Sequence, residues 1–316
     1  MQFHPLDPAA LPMFRRALLP ALPAVARIER WFWSHCSRSR STWFDSRRWR
    51  AVWNVVRWFG AVPRKRPDRM VVRFAPRIVL DLDLSRLTDV LALCYGAGEN
   101  EVGYVCQRIC PPDGVVADIG GNIGTTALAF AAAVPKGRVH VFEPSPEMLV
   151  CLRRNIALSG ADNVTVHPCG LADRSTRANL QVAIPGNPGS AFLTETPAAQ
   201  GTEVEVQRLD DVLATTPRLD FVKIDVEGLE LQVLRGAQQS IRRHRPVVLF
   251  ELNEPALRRG GTTGRETAQF LQTLDYRLLW LDRGRFRDYE VDGMSGRTLH
   301  NVLAVPREKP LPVACN

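Results

Sequence analysis

The strongest constraint on the fold is a regular alternation of short apolar runs with helical stretches. Val115–Ile119, Arg138–Phe142, Val164–His167, Phe221–Asp225 and Val247–Glu251 read as strands, and Arg277–Leu281 and Asn301–Val305 as closing strands. Between them, Thr125–Val134, Pro146–Leu158, Glu230–Arg242 and Glu266–Leu274 read as helices. Repeated β-α-β units with short buried strands build a parallel sheet wrapped by helices, an open doubly wound α/β fold. Ligands of such sheets bind beyond the carboxyl ends of the strands. The unusual residues of this chain all sit there.

The first strand runs into Asp118-Ile119-Gly120-Gly121-Asn122-Ile123-Gly124-Thr125. Strand, glycine turn and helix form a nucleotide-binding entry. The dinucleotide fingerprint fits poorly, because Asn122 stands where its second glycine lets a pyrophosphate approach bare backbone. Asp118 at the strand end opposes an anion and suits a cationic amino acid or a sulfonium. Glu143 and Pro144 end the second strand, where an acidic residue can accept both hydroxyls of a ribose. After the third strand, Cys169-Gly170-Leu171 makes a tight turn, and a small residue beside a leucine can flank an adenine ring. Adenine, ribose and a cationic amino-acid tail without phosphate describe S-adenosylmethionine.

At the remaining strand ends stand Asp225, Glu227, Glu251 and Asn253. For a hydroxyl acceptor, Asp225, Glu227 and Glu251 are the candidate catalytic groups. Asp225 serves equally as a contact for the methionine amino group. Asp225, Glu251 and Asn253 are also hard oxygen donors of the kind Mg²⁺ prefers, so a metal stays open. Lys223 is read as a charge-pairing residue and His167 as a packed one. Residues 171–208 look irregular, with short strands at 179–184 and 203–208. This insertion, with Ser190 and Thr194, is a candidate cover for the acceptor.

Val116–Gly124, Phe142–Pro146, Leu209-Asp210-Asp211 and Phe221–Glu230 with Leu234–Ala237 resemble the FkbM-type methyltransferases, Lys-Ile-Asp-Val-Glu-Gly being the most specific block. The resemblance covers about residues 75–305. Gly121 departs from the alanine usual there. The resemblance implies a seven-stranded, mostly parallel, Rossmann-like methyltransferase sheet whose seventh strand, here Asn301–Val305, runs antiparallel. It implies S-adenosylmethionine as cofactor and O-methylation of a hydroxyl on a glycan or other small molecule. A cofactor-binding interaction module without turnover and an NAD(P)-dependent oxidoreductase are the alternatives, the second disfavoured by Asn122 and Asp118.

Charge divides the chain. Residues 1–70 hold 14 Lys and Arg against four Asp and Glu, whereas the other 246 residues hold 27 against 29. Two domains follow: a basic extension over 1–70 and the methyltransferase-like domain over 71–316. Six of seven tryptophans lie between Trp31 and Trp58, and Trp49, Val52, Trp53 and Val56 trace one face of a helix over 46–59. Residues 31–62 then suit an anionic membrane surface or an acidic partner protein. Alternatively, the tryptophan face packs on the main domain or on a second copy, making a homo-oligomer. No nucleic-acid motif is present. Ile78, Leu80, Leu82 and Leu84 alternate with acids, which predicts an exposed strand or hairpin arm. Seven cysteines without CxxC spacing read as reduced, buried thiols, and the expected location is cytoplasmic, with peripheral membrane association. Residues 15–26 imitate a signal peptide, poorly, because two prolines interrupt its apolar stretch.

Overall fold

The computed structural model describes residues 69–83, 85–86, 88–89, 92–93, 100–183, 187–194, 201–282, 285–289 and 299–310. The basic Trp-rich segment, with its expected helix over 46–59, lies outside the described residues.

The strands β3 (Val115–Ile119), β4 (Arg138–Phe142), β5 (Val164–His167), β10 (Phe221–Ile224) and β11 (Val247–Asn253) pair in parallel in the order β11-β10-β3-β4-β5. The strand β14 (Leu299–Pro306) then pairs antiparallel with both β11 and β12 (Tyr276–Asp282). The antiparallel strand expected at Asn301–Val305 is thus the core of β14. The count of seven needs correction. Among the described residues a further edge strand, β13 (Arg285–Asp288), lies beside β12 and makes this sheet eight-stranded.

The helices α2 (Thr125–Ala133) and α3 (Pro146–Ser159) follow β3 and β4; α1 (Asn100–Ile109) precedes them. Ser145 caps α3 and Gly160 ends it in the left-handed region, the usual polar start and glycine stop. On the other side lie α4 (Leu209–Val212), α5 (Glu230–Gly236), α6 (Gln238–His244), α7 (Glu254–Arg259) and α8 (Gly264–Thr273). The single helix expected over 230–242 is broken at Ala237, where the Gln239 and Ser240 amides turn to donate to the Asp210 carboxylate at 3.0 and 2.7 Å. Two apolar layers result. One holds Phe142, Leu171, Leu234 and Phe250, and the other Leu128, Phe130, Val139 and Phe221.

The arm expected to be exposed is instead buried. The strands β1 (Arg69–Ala75) and β2 (Ile78–Asp83) form an antiparallel hairpin, and Val79, Leu80, Asp81 and Leu82 are buried. Side chains of α3 stand in for a neighbouring strand along β2. Asn155 Oδ1 accepts from the Asp81 amide at 2.8 Å, and Ser159 Oγ both accepts from the Val79 amide and donates to its carbonyl. The buried Asp81 carboxylate is neutralised by Arg69 and Arg154.

Within the described part of the insertion, the strands expected at 179–184 and 203–208 overlap observed ones, and two more join them. The strands β6 (Gly170–Leu171), β7 (Thr176–Val182), β8 (Ala191–Thr194) and β9 (Thr202–Gln207) form a second sheet in the order β6-β9-β7-β8. Among the described residues no helix is long and apolar enough to cross a membrane. Cys106, Cys110, Cys151 and Cys169 are unpaired and buried.

Candidate functional site

A cleft opens at the carboxyl ends of β3, β4 and β10 and takes in about 950 Å³ of space, open solvent at its mouth included. Its floor is the glycine turn. Gly120 and Gly124 adopt φ of 85° and 95°, and Asn122 adopts 49°, a left-handed conformation that asparagine tolerates better than most residues. The Gly120 and Gly121 amides both donate to the Phe142 carbonyl at 3.0 Å, which folds the turn back toward β4.

Gly120, Gly121, Asn122, Glu143, Pro144, Gly170, Leu171, Asp225 and Glu227 all wall this cleft. Asp118 and Gly124 do not. Asp118 is fully buried below the turn. Its Oδ2 accepts from Thr126 Oγ1 at 2.7 Å, and Lys223 Nζ stands 3.6 Å from Oδ1. Burial pushes the Asp118 carboxyl above its usual range, against the opposing pull of Lys223. Lys223 also reaches Asp225 Oδ2 at 3.1 Å, so one ammonium is shared by two carboxylates. The charged groups facing the cleft are therefore Glu143, Asp225 and Glu227 together with Lys223, and Asp118 acts from beneath through that lysine. The i, i+2 spacing of Lys223 on β10 and Asp225 just beyond its end signals that pairing, whereas Asp118 is 105 positions away in sequence.

Glu143 is held firmly. Its Oε2 accepts from the Asn122 amide at 2.8 Å and its Oε1 from the Ser145 amide at 2.7 Å. Each oxygen retains a lone pair for a further donor. Burial raises its carboxyl to about 7, although both amides pull it down.

The loop after β10 carries Asp225, Glu227 and, at the start of α5, Glu230. Glu227 has φ of 55°, and Asn253 Nδ2 lies 3.4 Å from its Oε2. Burial raises Glu227 to about 7, reinforced by the charges of Asp225 and Glu230 and opposed by Arg259. A carboxyl poised near neutrality suits a general base.

Glu230 is buried beneath this loop. Its Oε1 accepts from the Val226 and Gly228 amides at 3.3 and 3.2 Å, and its Oε2 has no hydrogen-bond partner. Burial, with a smaller contribution from Asp225, raises its carboxyl to about 7. The native state then keeps a proton that the unfolded chain releases above about 4.5, so stability falls as pH rises from there to about 7. Glu230→Gln keeps the Oε1 acceptor and removes this loss. The variant is expected to exceed the parent at pH 8 by on the order of 1–3 kcal/mol and to match it near pH 4.5, by urea unfolding. An unchanged difference between the two pH values contradicts this.

The cleft walls do not include Glu251 or Asn253. Asn253 Oδ1 caps α7 by accepting from the Ala256 amide, and its Nδ2 faces Glu227. Asp225 Oδ2 is engaged with Lys223. Among the described residues no three His, Cys, Asp or Glu side chains gather as a metal site. Of the three candidate Mg²⁺ ligands only Asp225 walls the cleft, and one Asp225 oxygen and the Asn253 amide oxygen are already engaged.

His167 stacks on Phe142 with ring centroids 4.5 Å apart, and its Nε2 is 3.0 Å from His140 Nδ1. Burial lowers both imidazoles, His140 to about 4, so the pair is neutral and packed. A further wall comes from the insertion read as a candidate cover, but its lining residues were not the Ser190 and Thr194 singled out there. Leu180, Pro188, Gly189, Ala191, Phe192 and Leu193 bring the second sheet against the cleft. Thr126 and Arg259 were also missed.

The methyltransferase FkbM domain model matches residues 118–278, half of the chain. Methyltransferase 1 of Beauveria bassiana is 33% identical over 150 residues, covering 40% of this chain and 59% of that one. The 2-O-methyltransferase NoeI of Sinorhizobium fredii is 27% identical over 154 residues, covering 42% and 61%. The hexuronic acid methyltransferase AglP of Haloferax volcanii is 29% identical over 148 residues, covering 46% and 59%. The chain thus spans about three fifths of the length of these relatives. A matched segment that begins at Asp118 and takes in the glycine turn, Glu143 and the Asp225–Glu230 loop places this chain in the FkbM methyltransferase family.

Proposed function

We propose that the protein is an S-adenosylmethionine-dependent methyltransferase that methylates a hydroxyl on a glycan or another small molecule. The observation that carries the reading is the cleft itself, with Glu143 after β4 and Asp225 and Glu227 after β10 on its walls, either side of the glycine turn that ends β3. The residues present fit the cofactor. Glu143 has acceptor capacity for the ribose hydroxyls, and Gly170 sits against the Leu193 side chain, whose Cδ1 would lie 2.6 Å from a Cβ there. Asn122 Oδ1 is buried without a partner on the same floor. When bound, S-adenosylmethionine supplies a methyl group already activated by its sulfonium.

The chain's own contribution is then alignment and proton removal. Positioning two reactants can lower a barrier by up to about 7–11 kcal/mol, and a base adds about 10²–10⁴-fold. Glu227 takes the acceptor's hydroxyl proton, and Asp225, steadied by Lys223, orients the cofactor's amino end or the acceptor. The second sheet excludes water from one side. The names of NoeI and AglP support an oxygen acceptor on a sugar. Residues 1–70 are proposed as a separate docking segment for a membrane surface, a protein or a second copy.

Incubation with methyl-labelled S-adenosylmethionine and a panel of hydroxylated sugars and metabolites tests the acceptor. A product heavier by one methyl on oxygen is expected, and methylation only of nitrogen or carbon overturns the hydroxyl assignment. Glu143→Ala is expected to weaken S-adenosylhomocysteine by about 10-fold or more through loss of a charged hydrogen-bond acceptor. An unchanged dissociation constant rejects its ribose role.

A further inference from the structure

Arg259 ends α7 and is exposed, yet it joins two elements at the mouth of the cleft. Its Nη2 donates to the Glu227 carbonyl at 3.0 Å. Its guanidinium carbon lies 4.3 Å from the centroid of the Phe192 ring, a cation–π arrangement. Glu227 and Phe192 both wall the cleft, one on the loop after β10 and the other on β8, the edge strand of the second sheet.

The Glu227 backbone needs such support. A left-handed, non-glycine residue costs about 1–3 kcal/mol and persists only where its surroundings hold it. The next residue, Gly228, is also left-handed at φ 115°, and a Cβ there would meet the Ala256 carbonyl at 2.2 Å. The start and the end of α7 therefore both fix this turn. On the side-chain end of Glu227, the neighbouring charges are Asp225, Glu230 and Arg259, with the Asn253 amide beside them. Lys223 is committed to Asp118 and Asp225.

We propose that Arg259 is a positioning residue that holds the Glu227 turn and Phe192 in one arrangement across the mouth of the cleft. Its guanidinium touches no reacting atom. It keeps the carboxyl of Glu227 at the height the acceptor needs and fixes the wall opposite. A lysine could keep the charge but not the flat stack and the directed bond together. This inference rests on Glu227 being the base.

The test compares the full chain with Arg259→Gln, Arg259→Lys and Glu227→Gln. Because Arg259 is at the surface, its two variants are expected to fold as the parent does, which melting curves check. In Arg259→Gln, kcat is expected to fall about 10–100-fold and its acid limb to move to higher pH, because a positive charge that favours the ionised carboxyl is gone. Arg259→Lys is expected to keep the limb near its original pH while losing part of the rate. Hydrogen exchange of the segments around 226–228 and 191–194 is expected to speed up in Arg259→Gln by about 10-fold or more. If both segments stay protected as in the parent, and the pH limb does not move, the proposal is overturned. If both loosen while Glu227→Gln retains full turnover, the positioning role stands and the assignment of the base fails.

Discussion

Gly120→Ala is expected to abolish S-adenosylhomocysteine binding and to lower the melting temperature by on the order of 5–15 °C. Two costs combine. Gly120 has φ of 85°, where a side chain costs about 1–2 kcal/mol. A Cβ would also lie 1.9 Å from the Asp225 carbonyl oxygen. That oxygen cannot retreat cheaply, because the Asp225 amide donates to the Ile119 carbonyl at 3.0 Å and β3 is paired with β10 just behind it. Overpacking of this kind costs about 1–3 kcal/mol or more. Relieving it would drive the floor of the cleft away from Asp225, so ligand affinity and stability fall together. Gly160→Ala separates the two costs. Gly160 is left-handed at φ 58°, but nothing stands within 4 Å of its would-be Cβ. That variant should lose only about 1 kcal/mol and bind normally. Equal melting temperatures for the two variants contradict the account of the turn.

Glu227→Gln is expected to lower kcat by about 10²–10⁴-fold while changing S-adenosylhomocysteine affinity little. Only the ionised carboxylate accepts a proton, and burial together with Asp225 and Glu230 raises this group to about 7. Turnover of the parent should therefore fall about tenfold for each pH unit below about 7, and level off above it. The glutamine variant has no such limb. It also removes a carboxylate that is costly to ionise, so its stability at pH 8 should equal or exceed that of the parent. Retained turnover with the acid limb intact would place the base elsewhere. Asp225→Asn is the natural companion, since Asp225 shares Lys223 with Asp118 and its loss leaves that ammonium less well balanced.

Sequence and structure agree most closely where apolar runs are short and ended by glycine or proline. Val115–Ile119, Arg138–Phe142 and Val164–His167 match β3, β4 and β5 residue for residue, because each is flanked by a chain breaker or a polar cap. The same feature made the glycine turn, Glu143 and Gly170-Leu171 legible, since strand ends fix where such residues fall. The second sheet was harder. β9 reads Thr-Glu-Val-Glu-Val-Gln, with Val204 and Val206 alone turned inward, and β8 has only four residues. Its strands gain their order from one another and from the cleft, which no local pattern reports. α7 was hidden by Pro255 at its start, and its meaning lies in Arg259, 32 positions beyond Glu227. Burial of the β1–β2 hairpin depends on Asn155 and Ser159, more than 70 residues away. Alternating acids such as Asp81 look solvent-facing until Arg69 and Arg154 are placed beside them.

The central claim is that the cleft is shaped for a phosphate-free adenosine carrying a cationic amino-acid tail. Isothermal titration of the full chain with S-adenosylhomocysteine and, separately, with NADH tests it most directly. Saturable binding of S-adenosylhomocysteine, weakened in Glu143→Ala, with no heat from NADH, is the expected result. Tight NADH binding with none of S-adenosylhomocysteine would contradict the account.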